Sequence, residues 1–211
     1  MPSAIGGRHQ DVHDNHEREK ADMSKLTDSL YPSAINMIRL DHTHVMATFH
    51  QYRTEDRPSV KRGLADTICI ALEVHAQLEE EIFYPAIRAV TENATIRDSV
   101  HEHDEMRRLI ALLRSMSAES SDFDDIVMEL MRDVLHHVAD EETILLPEAE
   151  RLLGNDLESL GARMMRRRME LVGPRVLDIT SSMARSVSPS TAILTVLAAF
   201  GAISAIARLR R

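Results

Sequence analysis

Cysteine, tryptophan, glycine and proline are all scarce in this chain. Its 211 residues include one Cys, no Trp, 7 Gly, 7 Pro, 3 Tyr and 4 Phe. A single cysteine excludes an internal disulfide, and Cys69 lies between Ile68 and Ile70 in a helical pattern, which points to buried packing. The first 30 residues are polar and charged, so no amino-terminal signal peptide is visible and a reducing, cytosolic setting is expected. Basic charge is short as well: 25 Lys and Arg face 34 Asp and Glu, for a net charge of -9. Such a balance argues against a surface that tracks phosphates, so nucleic acid is not an expected partner. The one basic cluster, Arg163 to Arg168, is brief.

What is present is apolar residues at helical spacing from Ile35 almost to the end, which predicts an all-α protein. The length fits one sizeable domain plus an appendage. Residues 1–30 read as a polar arm; its His9, His13 and His16 have metal-ligand spacing but no apolar stripe to hold them rigid. Residues 31–153 contain four helical runs. The first, from about Pro32 to Arg53, aligns Ile35, Ile38, His42, Met46 and Phe49. The second, from about Pro58 to Ala89, aligns Leu64, Ile68, Leu72, His75, Glu79 and Ile82. The third, near Thr95 to Ser117, aligns Ile96, Val100, His103, Met106, Ile110 and Leu113. The fourth starts at Ser121 or Asp122, either of which suits an N-cap, and carries Ile126, Leu130, Val134, His137, Glu141 and Ile144 toward Leu153. Short linkers predict antiparallel neighbours and hence an up-down-up-down four-helix bundle. Pro85 and Pro147 each fall ten residues after a motif histidine and are expected to kink or break their helices. Gly154 suits a C-cap, and 154–185 reads as an amphipathic extension that stops near Gly173-Pro174 and continues as a polar-mixed stretch.

Two copies of one pattern lie at the centre, His75-Ala76-Gln77-Leu78-Glu79 and His137-Val138-Ala139-Asp140-Glu141. At about 100° per residue, positions four apart differ by roughly 40°, so each His and Glu share a helix face. Helices one and three add His42 and His103. The set His42, His75, Glu79, His103, His137 and Glu141 is therefore the expected metal site, because burying two carboxylates without a cation or a proton is costly. A hydrogen-bonded core is the ordinary role of any one of these histidines taken singly. His101 lies about 200° from His103 and cannot share its face. His44 and His50 read as surface or rim residues, and His136 as packing on a neighbouring helix, donating to a carboxylate or ligating directly. Glu80, Glu81 and Glu142 are candidate acceptors behind the ligands or solvent-facing charges, with Glu80 and Glu142 also able to replace an adjacent ligand, and Tyr84 reads as a half-buried packing residue or as one that reaches a core polar group.

These residues resemble the hemerythrin-like HHE cation-binding family. The likeness rests on Leu40-Asp41-His42, on His75 to Glu79 followed by Glu80 and Phe83-Tyr84-Pro85, on His101-Glu102-His103-Asp104-Glu105, and on His137 to Glu141 followed by Glu142 and Leu146-Pro147. Leu160-Gly161-Ala162-Arg163-Met164 is similar to the tail that often follows such domains. The resemblance implies two iron ions with an oxo or hydroxo bridge, bridging carboxylates and terminal histidines. Zinc and manganese stay open, since the ligand types suit them too. Oxygen-carrying members place a second histidine four residues after the first in helix three, where this chain has Arg107, and use Asp where it has Glu141. The implied function is reaction with O2, peroxide or nitric oxide, as sensor or catalase-like protective enzyme, rather than oxygen transport. The alternative is iron storage or iron sensing without turnover.

Residues 186–211 form the last expected unit. From Ser186 to Ala207 no side chain is charged. Such a run of about 22 residues reaches about 33 Å as a helix, enough to cross a bilayer core. A hydrophobic C-terminal helix anchoring the bundle to the inner face of the membrane through 186–207 is therefore expected, with packing on the bundle or homo-oligomerisation as the alternatives.

Overall fold

A computed structural model describes residues 31–92 and 94–186, and the regular structure among them is helical throughout. Helix α1 spans Ala34–Phe49 and is started by Ser33, whose side chain accepts a hydrogen bond from the Asn36 amide at 3.3 Å. Helix α2 spans Pro58–Leu78, with proline in the first turn where no amide partner is needed. It continues through a π-helical turn, Glu79–Phe83, into α3, Tyr84–Arg88. Helix α4 spans Ala94–Ser115. Helix α5, Phe123–Asp140, passes through a second π-helical turn, Glu141–Leu145, into α6, Leu146–Leu153. Asp122 occupies the N-cap of α5, but its side chain makes no capping bond.

The two prolines expected to kink or break their helices do not end the helical run. Each π turn sits just before one, and its wider i→i+5 bonding, Tyr84 N–H to Glu79 C=O and Leu146 N–H to Glu141 C=O, lets the chain proceed past the missing amide.

Two apolar clusters fill the bundle. One gathers the start of α1 (Ile35, Ile38), the end of α2 with α3 (Leu78, Phe83, Ile87), the start of α4 (Ile96) and the end of the α5–α6 rod (Leu145, Leu146, Ala149, Leu153). The other gathers Val45 and Phe49, Leu64 to Leu72, Met106 to Leu113, and Phe123 to Val134, which are the opposite ends of the same rods. Consecutive rods therefore run antiparallel, as the periodicity predicts.

Gly154, with φ of 45°, ends α6. The chain then adds two more packed helices, α7 (Asp156–Val172) and α8 (Val176–Ser186), joined by the 3-10 turn Gly173–Arg175. Helix α7 buries Leu157, Leu160, Ala162 and Met164, the first two and Met164 within the first apolar cluster. Helix α8 lies along α2, tied by Arg175 to Glu73 at 2.8 Å and by Arg185 to Asp66 at 2.8 Å. The stretch read as polar-mixed is thus helical to Ser186, because its charged side chains find partners on α2.

The expected hydrophobic C-terminal helix is corrected. Among the described residues no helix is long and apolar enough to cross a membrane. The last of them, Val176–Ser186, carries Asp178 and Arg185 and packs on α2. The 187–211 part of that expected segment, like the 1–30 arm with His9, His13 and His16, lies outside the described residues.

Gly161 is where α7 meets the start of α1: a Cβ there would fall 2.1 Å from the Pro32 carbonyl oxygen and 2.8 Å from the Ala34 nitrogen. Both are backbone atoms and cannot swing away. Gly161→Ala is expected to destabilise the protein by about 1–3 kcal/mol through forced separation of α7 and α1. Thermal unfolding followed by circular dichroism checks this, and an unchanged midpoint would mean that α7 does not dock so closely.

Candidate metal centre

Between the two apolar clusters lies a layer made of the six residues singled out from the sequence. His42 comes from α1, His75 from α2, His103 from α4 and His137 from α5, while Glu79 and Glu141 are the first residues of the two π turns. All six are buried, the most accessible being His42 at 5%. The imidazole Nε2 atoms face the carboxylates: His75 and His103 lie 3.3 and 3.4 Å from Glu79 Oε2, and His42 and His137 lie 3.4 and 3.6 Å from Glu141 Oε2. Two overlapping groups, His42, His75, His137 and Glu141, and His75, Glu79, His103 and His137, each bring one donor atom per residue within 4.8 Å of the others.

Behind each imidazole stands a second carboxylate. Glu142 is 3.0 Å from His42 Nδ1, Glu80 2.8 Å from His103 Nδ1, Glu102 3.0 Å from His137 Nδ1, and Asp41 3.6 Å from His75 Nδ1. An acceptor at Nδ1 favours the tautomer that leaves the Nε2 lone pair pointing inward. The pattern has internal two-fold symmetry. Asp41-His42 on α1 corresponds to Glu102-His103 on α4, and the groups His75, Glu79, Glu80 and His137, Glu141, Glu142 correspond on the other two rods. Arginines hold three of the outer carboxylates: Arg168 of α7 holds Asp41, Arg107 holds Glu80 and Arg39 holds Glu142.

The electrostatics reflect burial of so many ionisable groups. Burial raises the Glu79 carboxyl well above its ordinary range, and the neighbouring Glu141 charge adds to this. Burial acts on Glu141 in the same sense, yet the His137 charge and the close His42 imidazole win and hold it below its usual range. For His42, burial is outweighed by the Glu141 carboxylate 3.4 Å from its Nε2 and by the Glu79 and Glu141 charges, which raise it to about 9. His75 goes the other way, to about 4, because burial prevails over Asp41. Asp41 is pulled down to about 2: burial opposes this, but His75 and the Arg168 guanidinium dominate. His42 Nε2, both nitrogens of His75, Glu79 Oε1 and Glu141 Oε2 are buried with no hydrogen-bond partner. Orphaned polar atoms are costly in a core, and five in one layer are what a cation-binding donor set looks like with protein atoms alone.

Of the two roles open to Tyr84, the structure shows the reach to core polar groups, and the residue is part of the layer. Its hydroxyl donates to Glu141 Oε1 at 2.7 Å and lies 3.1 Å from Glu79 Oε2, and its ring stacks on His103 at 5.8 Å. An α-helical count of five residues from Glu79 would turn it about 140° away, but the i→i+5 bonding of the π turn returns it to the same face. The Pro85 that follows was the available signal. Glu80 and Glu142 accept from imidazoles as expected, whereas Asp41 and Glu102 had no role assigned; each immediately precedes an inward histidine. His44, His50, His101 and His136 are exposed.

The family model described as the Hemerythrin HHE cation binding domain matches residues 33–149. The chain belongs to this hemerythrin HHE family. A protein named "DNA nickase" from Nostoc sp. (strain PCC 7120 / SAG 25.82 / UTEX 2576) is 30% identical over 110 residues, covering 52% of this chain but 31% of that protein. The chain thus spans about a third of the length of the curated relative it matches. A crystal structure of a hemerythrin HHE cation binding domain-containing protein from Mycobacterium kansasii superposes with a TM-score of 0.60 at 18% identity, covering 74% of this chain and 99% of that one. That likeness is one of fold. The hemerythrin-like fold with its clustered His and Glu motifs is consistent with binding of metal and, through it, of O2 or peroxide.

In the metal-stripped HHE bundle the raised Glu79 has a pH consequence. Above about 4.5 the unfolded chain releases this proton while the folded chain retains it, so stability falls as pH rises toward the folded value. Glu79→Gln cannot ionise. Its melting temperature in the presence of chelator is expected to exceed that of the unsubstituted chain by more at pH 8 than at pH 5; an equal or shrinking gap would contradict the assignment of the proton to Glu79.

Proposed function

We propose that the chain is a non-haem diiron protein that binds or reacts with O2, peroxide or nitric oxide, in a sensing or catalase-like protective role. The observation that carries this reading is the set of partnerless buried atoms on His42, His75, Glu79 and Glu141, arranged with His103 and His137 in two overlapping donor groups. Imidazole with carboxylate is a donor set that suits iron, zinc or manganese, and in helical bundles it holds pairs of ions. We assign His42, His75, Glu79, His103, His137 and Glu141 as the residues that would hold the metal. When bound, iron supplies an open coordination position and electrons for small oxygen-derived molecules.

The protein's own contribution is rigidity, exclusion of water and a proton. The outer carboxylates and their arginines fix the rings, so a ligand finds donors already aimed. A cavity of about 10 Å³ borders His42, His75 and His137 and is walled by Val45, Leu72, Val134 and Val138. That is room for about one water-sized molecule and none for an iron mineral. The Tyr84 hydroxyl holds a proton between Glu79 and Glu141, and burial raises its pKa well above the ordinary range, with the Glu79 and Glu141 charges adding to this. Arg107 occupies the place of the carriers' extra histidine and pairs with Glu80 at 2.7 Å, so that position supports His103 from outside. The nickase activity of the longer relative is not carried over; the acidic balance of this chain keeps nucleic acid out of the proposed partners.

Metal analysis with optical spectra of the aerobically purified full chain tests the reading. Two irons per chain with oxo-bridge absorption, and oxygen release on adding peroxide, are expected; stoichiometric zinc alone would move the centre to a structural role. Glu79→Ala or His137→Ala should lose metal, and unchanged occupancy would remove that residue from the ligand set. Glu80→Ala, which frees the His103 ring, should weaken metal affinity by about 10–100-fold while leaving all six ligands in place.

A further inference from the structure

The internal symmetry of the centre is broken at one outer carboxylate. Asp41, Glu80 and Glu142 each face an arginine, from α7, α4 and α1. Glu102, the counterpart of Asp41, faces His136 and Asp140 on α5 instead, with one donor atom from each of the three residues within 4.8 Å of the others. The same correspondence sets His136 and Asp140 opposite Val74 and Leu78 of α2, which are buried. On that side Arg168 of α7 neutralises Asp41; on this side His136 is exposed and Glu102 and Asp140 are partly exposed. The sequence His136-His137-Val138-Ala139-Asp140-Glu141 thus interleaves two His-x-x-x-acid pairs, one aimed inward and one outward.

We infer that Glu102, His136 and Asp140 form a second, outer site for a divalent transition cation, which takes at Glu102 the part that the Arg168 guanidinium takes at Asp41. A carboxylate has two oxygens, so Glu102 can accept from His137 Nδ1 with one and bind a cation with the other. One imidazole and two carboxylates suit Zn²⁺, Mn²⁺, Fe²⁺ or Co²⁺, with water completing a solvent-facing shell. The spacing explains why two adjacent histidines stand at 136 and 137, only the second of which the inner layer uses. This site depends on outer geometry alone and does not require the inner centre to hold iron.

The test is a Co²⁺ titration of the full-length protein carrying its native inner metal, by calorimetry and by visible absorption, against the double variant His136→Ala/Asp140→Asn. Neither substituted residue belongs to the inner layer. The unsubstituted chain is expected to take up one further Co²⁺ per chain and to melt at a higher temperature when it does. The double variant should lose that equivalent and the melting shift while keeping its inner metal content. Absence of any further Co²⁺ in the unsubstituted chain, or undiminished uptake by the double variant, overturns the proposal. Loss of inner metal in Glu79 or His137 variants reads the inner centre separately, so failure of one site is not mistaken for failure of the other.

Discussion

The cost of burying two carboxylates and four imidazoles in one layer across a helical bundle governs the rest of this structure. An ionised carboxylate taken from water without compensation is unfavourable by several kcal/mol even after relaxation. This layer interrupts what would otherwise be one apolar core and leaves two, one toward each end of the rods. Every surrounding feature answers that cost: imidazoles within 3.6 Å of each inner carboxylate, an outer carboxylate behind each imidazole, and arginines at the rim. The chain of alternating charge runs from the centre toward the solvent.

The two π turns are the local device that makes the layer. Each begins at a buried glutamate of the layer and ends before a proline. The wider turn brings Tyr84 over Glu79 on one rod, where the other rod has Leu146 at the corresponding position. One hydroxyl therefore serves both carboxylates from one side, and the symmetric frame acquires a chemically polar and an apolar face. The appended helices add a second asymmetry, since Arg168 of α7 reaches Asp41 and through it His75. A helix outside the bundle is thus mechanically linked to a ring of the centre.

Much of this was legible in the residues. Period 3.6 marked the four rods, and the His-x-x-x-Glu pairs, with His42 and His103 in register, identified all six inward groups, because helical geometry converts spacing into direction with little help from context. Glu80 and Glu142 were recognisable as outer acceptors by adjacency. For Tyr84 packing and a reach to the core both stayed open, because its direction depends on a non-α turn that a 100° count cannot register. The fate of the 154–185 extension was not legible either: Arg168, Arg175 and Arg185 look like a solvated basic face until their partners Asp41, Glu73 and Asp66 on distant helices are known. The hydrophobic C-terminal helix was an inference from an uncharged run, and among the described residues no helix answers to it.

What the sequence alone determined is the rod pattern and the identity of the inward donors, since both are set within one helix by fixed rise and rotation. Which acid supports which imidazole, which arginine neutralises which acid, and where the outer face stays open were decided only by tertiary structure. Those pairings join residues up to 127 positions apart, as in Arg168 with Asp41. Their partners are chosen by how the rods cross, and no local periodicity encodes that.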